Sequence, residues 1–198
     1  MKEFVKGHEL QPVKSRNELL AEMIARGEVP MLPFELDKLK KDFEELAAEQ
    51  EVNGRLLGEA MQDSSETWHD NAAAEIISAS SVGLTTQAKA VVRQLREAVA
   101  TDYPDANEQQ VTLGTLVYLS FAGDEPEPML ITAITTDVPD QYGDHLPEGC
   151  EVVTMTSPLG KLLIGAEVDQ ELSYDVNGRN FSVKVVEMGQ PTPPLHDV

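Results

Sequence analysis

The sequence predicts an α+β protein in which a long antiparallel helical hairpin precedes a compact β-rich domain. Three observations carry this. Between Pro33 and Thr101 there is no proline, and apolar or small residues recur in alternating steps of three and four, the spacing of a coiled-coil seam. Beyond the polar connector "TDYPDANEQQ" the period falls to two, as in strands. Near the end, Asn177-Gly178 separates two alternating runs, and this dipeptide favours a two-residue hairpin turn because both residues tolerate positive φ.

Residues 1–33 form an N-terminal extension. Ser15-x-x-Glu18 has capping-box spacing and opens a short amphipathic helix with Leu19, Leu20, Met23 and Ile24 on one side, stopping at Gly27 before Pro30 and Pro33. Packing on the C-terminal domain and binding a partner are both open to it.

Residues 34–101 form the hairpin. Its first seam runs Leu36, Leu39, Phe43, Leu46, Gln50, Asn53, Leu57 and Ala60; its second runs Ala74, Ile77, Ser81, Leu84, Ala88, Val91, Leu95 and Ala98. An antiparallel fold-back requires facing residues to have a constant sum, and these pairs add to 134 throughout, from Leu36 with Ala98 to Ala60 with Ala74. The turn is therefore expected near residue 67. At about 1.5 Å per residue the first helix spans roughly 45 Å. Gln50, Asn53 and Ser81 meet across the seam as a polar layer that sets register at some cost in stability.

Residues 108–189 form the β-rich domain. Strands are expected in "VTLGTLVYLSF", "MLITAITT" and "CEVVTMT", with a Pro- and Gly-containing loop, "DVPDQYGDHLPEGC", between the last two. Ser157 as N-cap, Pro158 at the first helical position and Gly165 as a stop predict a helix of about two turns. In the final hairpin Tyr174 faces Phe181 and Leu172 faces Val183, and Phe121, Tyr174 and Phe181 are expected in the core. Residues 190–198, rich in proline, form a loose tail.

Composition narrows the function. The chain of 198 residues has 15 basic and 35 acidic residues, and residues 102–198 alone carry a net charge of −14. Such a surface repels phosphate backbones and attracts basic protein surfaces, so strong binding of free DNA is not expected. No apolar run approaches the ~20 residues of a membrane span. The single cysteine, Cys150, excludes an intramolecular disulfide framework, and the N-terminus lacks a secretory signal. A monomeric cytoplasmic protein that does not bind membranes is expected.

The helical arm followed by "TSPLGKLLIGAEVDQELSYDVNGRNFSVKVVEM" resembles the bacterial Gre transcript-cleavage and elongation factors, over roughly residues 34–188. The resemblance implies an FKBP-like C-terminal domain that docks at the rim of the RNA polymerase secondary channel. It implies a coiled coil that enters that channel and reaches the RNA 3′ end only within the polymerase. Ser157, Pro158, Leu159, Gly160 and Lys161, the core of the matching motif, are thereby candidates for partner binding.

In the family, acidic residues at the arm's tip help hold a second Mg²⁺ and an attacking water at the polymerase centre, so the factor is an accessory to that enzyme rather than an enzyme. Carboxylate oxygens suit this hard cation. Aligning the family's Asn-Ala on Asn71-Ala72 places Asp70 at one acidic position and Thr67 at the other, where the usual Asp is missing. Glu66 and Asp70 are the candidate catalytic and Mg²⁺-binding acids, the ion being shared with the polymerase and not bound stably by the free protein. Glu66 stands one residue before the missing acid, Asp63 is a more distant substitute, and His69 is a candidate proton carrier. Trp68 and His69 are candidates for partner contact. Thr67-x-x-Asp70 also has the spacing of a capping box that would simply start the second helix.

Three other readings stand beside a cleavage factor. A non-cleaving Gre-like regulator or inhibitor follows if the missing acid is not replaced. A peptidyl-prolyl isomerase or chaperone follows from an FKBP-like domain alone, but that needs an aromatic-lined pocket, for which the aromatic supply is thin. A third, an adaptor dimerising through the arm, conflicts with a chain that already pairs its own seam.

Overall fold

The computed structural model describes residues 14–63, 72–135, 138, 145–176 and 178–191. It is an α+β structure: a helical hairpin rises from a small parallel strand pair, and a curled five-stranded sheet follows. Among the described residues no helix is long and apolar enough to cross a membrane.

The chain begins with helix α1 (Arg16–Ala25), and its capping box is present in full, since Ser15 accepts from the Glu18 amide and Glu18 accepts from the Ser15 amide. Its apolar side is only partly used. Leu20 is buried and Met23 packs against the core, whereas Leu19 and Ile24 are exposed. The extension belongs to the core rather than to an appendage, because Leu20, Met31 and Leu32 share one cluster with Leu113, Leu130 and Ala133 of the β-rich region. The Asn17 amide donates to the Val111 carbonyl at 3.1 Å, and Arg16 donates to the carbonyls of Asp102 and Leu113.

Strand β1 (Val29–Met31) leads into helix α2 (Pro33–Asp63), and helix α3 (Ala72–Glu97) runs into strand β2 (Ala98–Ala100). β1 and β2 pair in parallel, Val29 with Ala98 and Met31 with Ala100. The pairing corrects one expectation. Ala98, assigned to the helical seam opposite Leu36, lies in a strand opposite Val29, because a partner strand is available there to take its backbone.

Elsewhere the seam is as expected. Along residues 43–62 the only sheltered side chains are Phe43, Leu46, Asn53, Leu57 and Ala60; along 74–90 they are Ala74, Ile77, Ser81, Leu84, Thr85 and Ala88. All but Thr85 are seam positions, so burial itself carries the heptad period. The polar contacts straddle the predicted register by one residue each way. Gln50 meets Thr85 at 3.3 Å and Asn53 meets Ser80 at 3.2 Å. Ser81, expected in that layer, instead donates to the Ile77 carbonyl within its own helix, and Gln50 is exposed.

The sheet is ordered β5-β4-β3-β7-β6, from β3 (Leu116–Phe121), β4 (Glu127–Thr132), β5 (Glu151–Thr154), β6 (Glu171–Val176) and β7 (Arg179–Gly189). Neighbours are antiparallel except β4 and β5, which are parallel and joined by the expected long connection. Helix α4 (Pro158–Leu163) covers one face, where Leu163 joins Val117, Leu119, Ile131, Val183 and Val185. The final hairpin keeps its predicted register: Tyr174 pairs with Phe181, rings stacked at 5.5 Å, and Leu172 pairs with Val183. Phe181 is not a core residue, however, being 41% exposed; β6 ends the sheet, and the Tyr174 ring covers it only in part. Of the tail expected over 190–198, residues 192–198 lie outside the described residues, and the first two are not loose. Gln190 donates to the Pro104 carbonyl and Pro191 is buried.

Candidate functional site

Of the candidate site residues, Glu66, Trp68, His69 and Asp70 lie outside the described residues, as does Thr67. The helices that lead to them fix their place in the chain. α2 ends at Asp63 and α3 starts at Ala72, so the intervening stretch 64–71 is centred within one residue of the position 67 that the constant sum gives, and the turn itself lies outside the described residues. Among the described residues no three His, Cys, Asp or Glu side chains come together as a metal site.

The "SPLGK" motif is described in full, and its residues divide by role. The Ser157 hydroxyl accepts from the Gly160 amide at 2.9 Å and donates to the Thr154 carbonyl at 2.8 Å, tying α4 to the end of β5. Pro158 sits in the first turn, where its missing N–H costs nothing. Leu159 packs against the core. Gly160 is buried where a Cβ would lie 2.0 Å from the Thr154 carbonyl oxygen. Pro158 and Lys161 are the exposed members. They are the part of the motif that a partner can touch.

Lys161 stands on a strongly acidic domain. Asp124, Glu125, Glu127, Glu148, Glu151, Glu167, Asp169, Glu171, Asp175 and Glu187 are all exposed there. Lys184 is held by Asp169 at 2.7 Å, and that hydrogen bond raises its pKa above the ordinary lysine value. Burial pushes the Cys150 thiol up to about 11, away from the low values that favour a reactive thiolate.

Sequence reasoning missed Glu35. Its carboxylate is 2% exposed and accepts four backbone amides: Leu32 at 3.0 Å, Ala133 at 2.9 Å, Ile134 at 3.0 Å and Thr135 at 3.2 Å. It thereby fastens the first turn of α2 to the end of β4. The signal was half a capping box: Glu35 stands at the third helical position, Pro33 being the first, and reaches back to the Leu32 amide. The three partners about a hundred residues away carried no local signal. Beside Glu35 a cleft of about 280 Å³ opens between Lys38, Asp42, Gln94 and Thr135, and the Lys38–Asp42 ion pair at 3.2 Å spans part of its wall.

Arg16 is the second fastening at this junction. Burial lowers its pKa from the ordinary arginine value, and Glu108, Asp102 and Asp105 oppose that shift. Its position ties α1 to the connector between the arm and the sheet.

No protein-family model matches the chain, and no curated protein matches it. Among solved structures it is similar to the GreA factor homolog 1 (Gfh1) of Thermus thermophilus, at 20% identity over 82% of this chain and 99% of that one, with a TM-score of 0.36. It is similar to Gfh1 of Thermus aquaticus, at 20% identity over 81% and 97%, TM-score 0.36. It is also similar to the elongation factor GreA/GreB of Nitrosomonas europaea, at 15% identity over 81% and 98%, TM-score 0.31. Likeness of this degree transfers no residue's role.

Proposed function

We propose that the protein is a Gre-type factor of RNA polymerase, whose acidic sheet domain docks on the enzyme while its arm carries residues 64–71 toward the active centre. The observation that supports this reading best is the arm itself. Helices of 31 and 26 residues pair along one seam, their base is pinned to the sheet domain by Glu35, and they share little core with the domain beyond that base. A long, pinned projection is suited to reach. The acidic face of the sheet domain suits a basic partner surface, with Pro158 and Lys161 placed for contact.

In this reading Glu66 and Asp70 supply carboxylate oxygens to a Mg²⁺ shared with the polymerase, and Trp68 and His69 contact the enzyme. A second reading, a regulator that does not promote cleavage, is favoured by Thr67 standing where the resemblance places an acid. Transcript cleavage on backtracked elongation complexes separates the two. If the acids complete a Mg²⁺ site, Glu66→Ala or Asp70→Ala is expected to reduce stimulated cleavage on the order of 100-fold while polymerase affinity stays nearly unchanged. If the natural protein stimulates no cleavage at any Mg²⁺ concentration, the regulatory reading stands and Thr67→Asp becomes the test of what was lost. Failure to bind polymerase at all would sink both.

A further inference from the structure

The two halves of the arm are built differently. Near the base, Leu39 is buried, Leu36, Val91 and Leu95 pack against the junction core, and the ion pairs Lys38–Asp42, Lys41–Glu45 and Arg93–Glu97 brace the helix surfaces. Among the described residues no ion pair of the arm lies between Glu45 and Arg93. Farther out, three independent weaknesses coincide.

The first is glycine. Gly54, Gly58 and Gly83 sit inside the helices, and a Cβ added at any of them would meet nothing within 4 Å. No packing in this molecule requires them, yet each raises the backbone freedom of a helix interior. The second is the seam, where apolar contact gives way to Gln50 with Thr85 and Asn53 with Ser80. The third is a run of hydroxyls turned onto their own helix: Ser81 donates to the Ile77 carbonyl, Thr85 to Ser81 and Thr86 to Val82, at 2.8–3.0 Å. Such bonds compete with the helical ladder and favour bending. All three fall within residues 50–58 of α2 and 80–86 of α3, which overlap in the antiparallel register: 50–54 face 80–84, and Gly58 lies one turn farther out, opposite residue 76.

We propose that residues 50–58 and 80–86 form a flexural joint, so that the outer part of the arm bends relative to a stiff base. The joint re-aims the end of the arm without disturbing its attachment. The inference rests on the arm's own construction and does not depend on the polymerase reading.

Spin-label distance measurements on the full chain test it. In a Cys150→Ser background, labels at Gln62→Cys and Ser182→Cys report the outer arm against the sheet, and labels at Glu44→Cys and Ser182→Cys report the base; Gln62, Glu44 and Ser182 are all exposed. The outer pair is expected to show a distance distribution roughly twice as broad as the base pair. The triple variant Gly54→Ala, Gly58→Ala, Gly83→Ala is expected to narrow it to near the base value. Amide exchange through 50–58 and 80–86 should slow by on the order of fivefold for each glycine replaced. Equal widths for the two pairs in the parent protein, or an outer distribution that the triple variant leaves unchanged, would overturn the joint.

Discussion

Gly160→Ala is expected to lower the melting temperature by roughly 10–20 °C, the effect of about 4–5 kcal/mol in a chain of this size. The added methyl would fall 2.0 Å from the Thr154 carbonyl oxygen, 2.8 Å from its carbon and 3.1 Å from the Met155 Cα. All three are backbone atoms, so no side chain can rotate away. Helix α4 must lift from the end of β5, and lifting it stretches the Ser157 bond to the Thr154 carbonyl and draws Leu163 out of the core. Overpacking that forces backbone movement typically costs about 1–3 kcal/mol and more where nothing can give; with only backbone in the way the cost here is about 3–4, and the loss of a cap adds about 1 more. Thermal unfolding followed by circular dichroism checks it. A melting temperature within about 2 °C of the parent would mean that α4 does not pack as described.

Glu35→Ala comes next in size, with an expected loss of about 3–5 kcal/mol in chemical denaturation. It removes one side chain and leaves four backbone amides without their acceptor, three of them in residues 133–135. An unsatisfied buried donor costs about 1–3 kcal/mol, reduced wherever water reaches it. Glu35→Gln should lie between, since its carbonyl oxygen can keep part of the set while its NH₂ faces amides that need an acceptor. Glu45→Ala, at an exposed position on the same helix, serves as the control and should stay within about 0.5 kcal/mol. If Glu35→Ala behaves like that control, the pinning of arm to sheet does not depend on this carboxylate.

The difference between Glu35 and the seam shows what a sequence can reveal. Phe43, Leu57, Ile77 and Leu84 are spaced by the helix period, so the pattern that shelters them is written along the chain, and the antiparallel register follows from matching two such patterns. The Tyr174–Phe181 and Leu172–Val183 pairs were legible for a similar reason: a two-residue turn fixes which residues face. Ala98 was misread because Ala-Val-Ala continues a helical pattern acceptably, and only the arrival of Val29 makes it a strand. Ser81 was misassigned because a serine on the seam has two uses for its hydroxyl, and the bond within its own helix was the nearer. Glu35 was missed because its partners are amides, which every residue has. For the candidate site, the resemblance supplied Ser157 to Lys161 as one group, and only their packing separates the two that face solvent from the three that hold the helix in place.

The parallel pairing of β1 with β2 means that the chain leaves for the arm and returns from it side by side. The arm is thus an insertion between two strands, and its reach is a separate variable from the platform that carries it. Residues 43–49 and 85–91 face each other in the antiparallel register; deleting both segments would remove one heptad from each helix. The seam would close up in phase and the projection would shorten by about 10 Å, with Leu84 taking the place of Val91 and the β1–β2 pair and Glu35 left as they are. In such a design, length behaves as a ruler set in steps of seven, and homologous arms cut to different measures could share one platform.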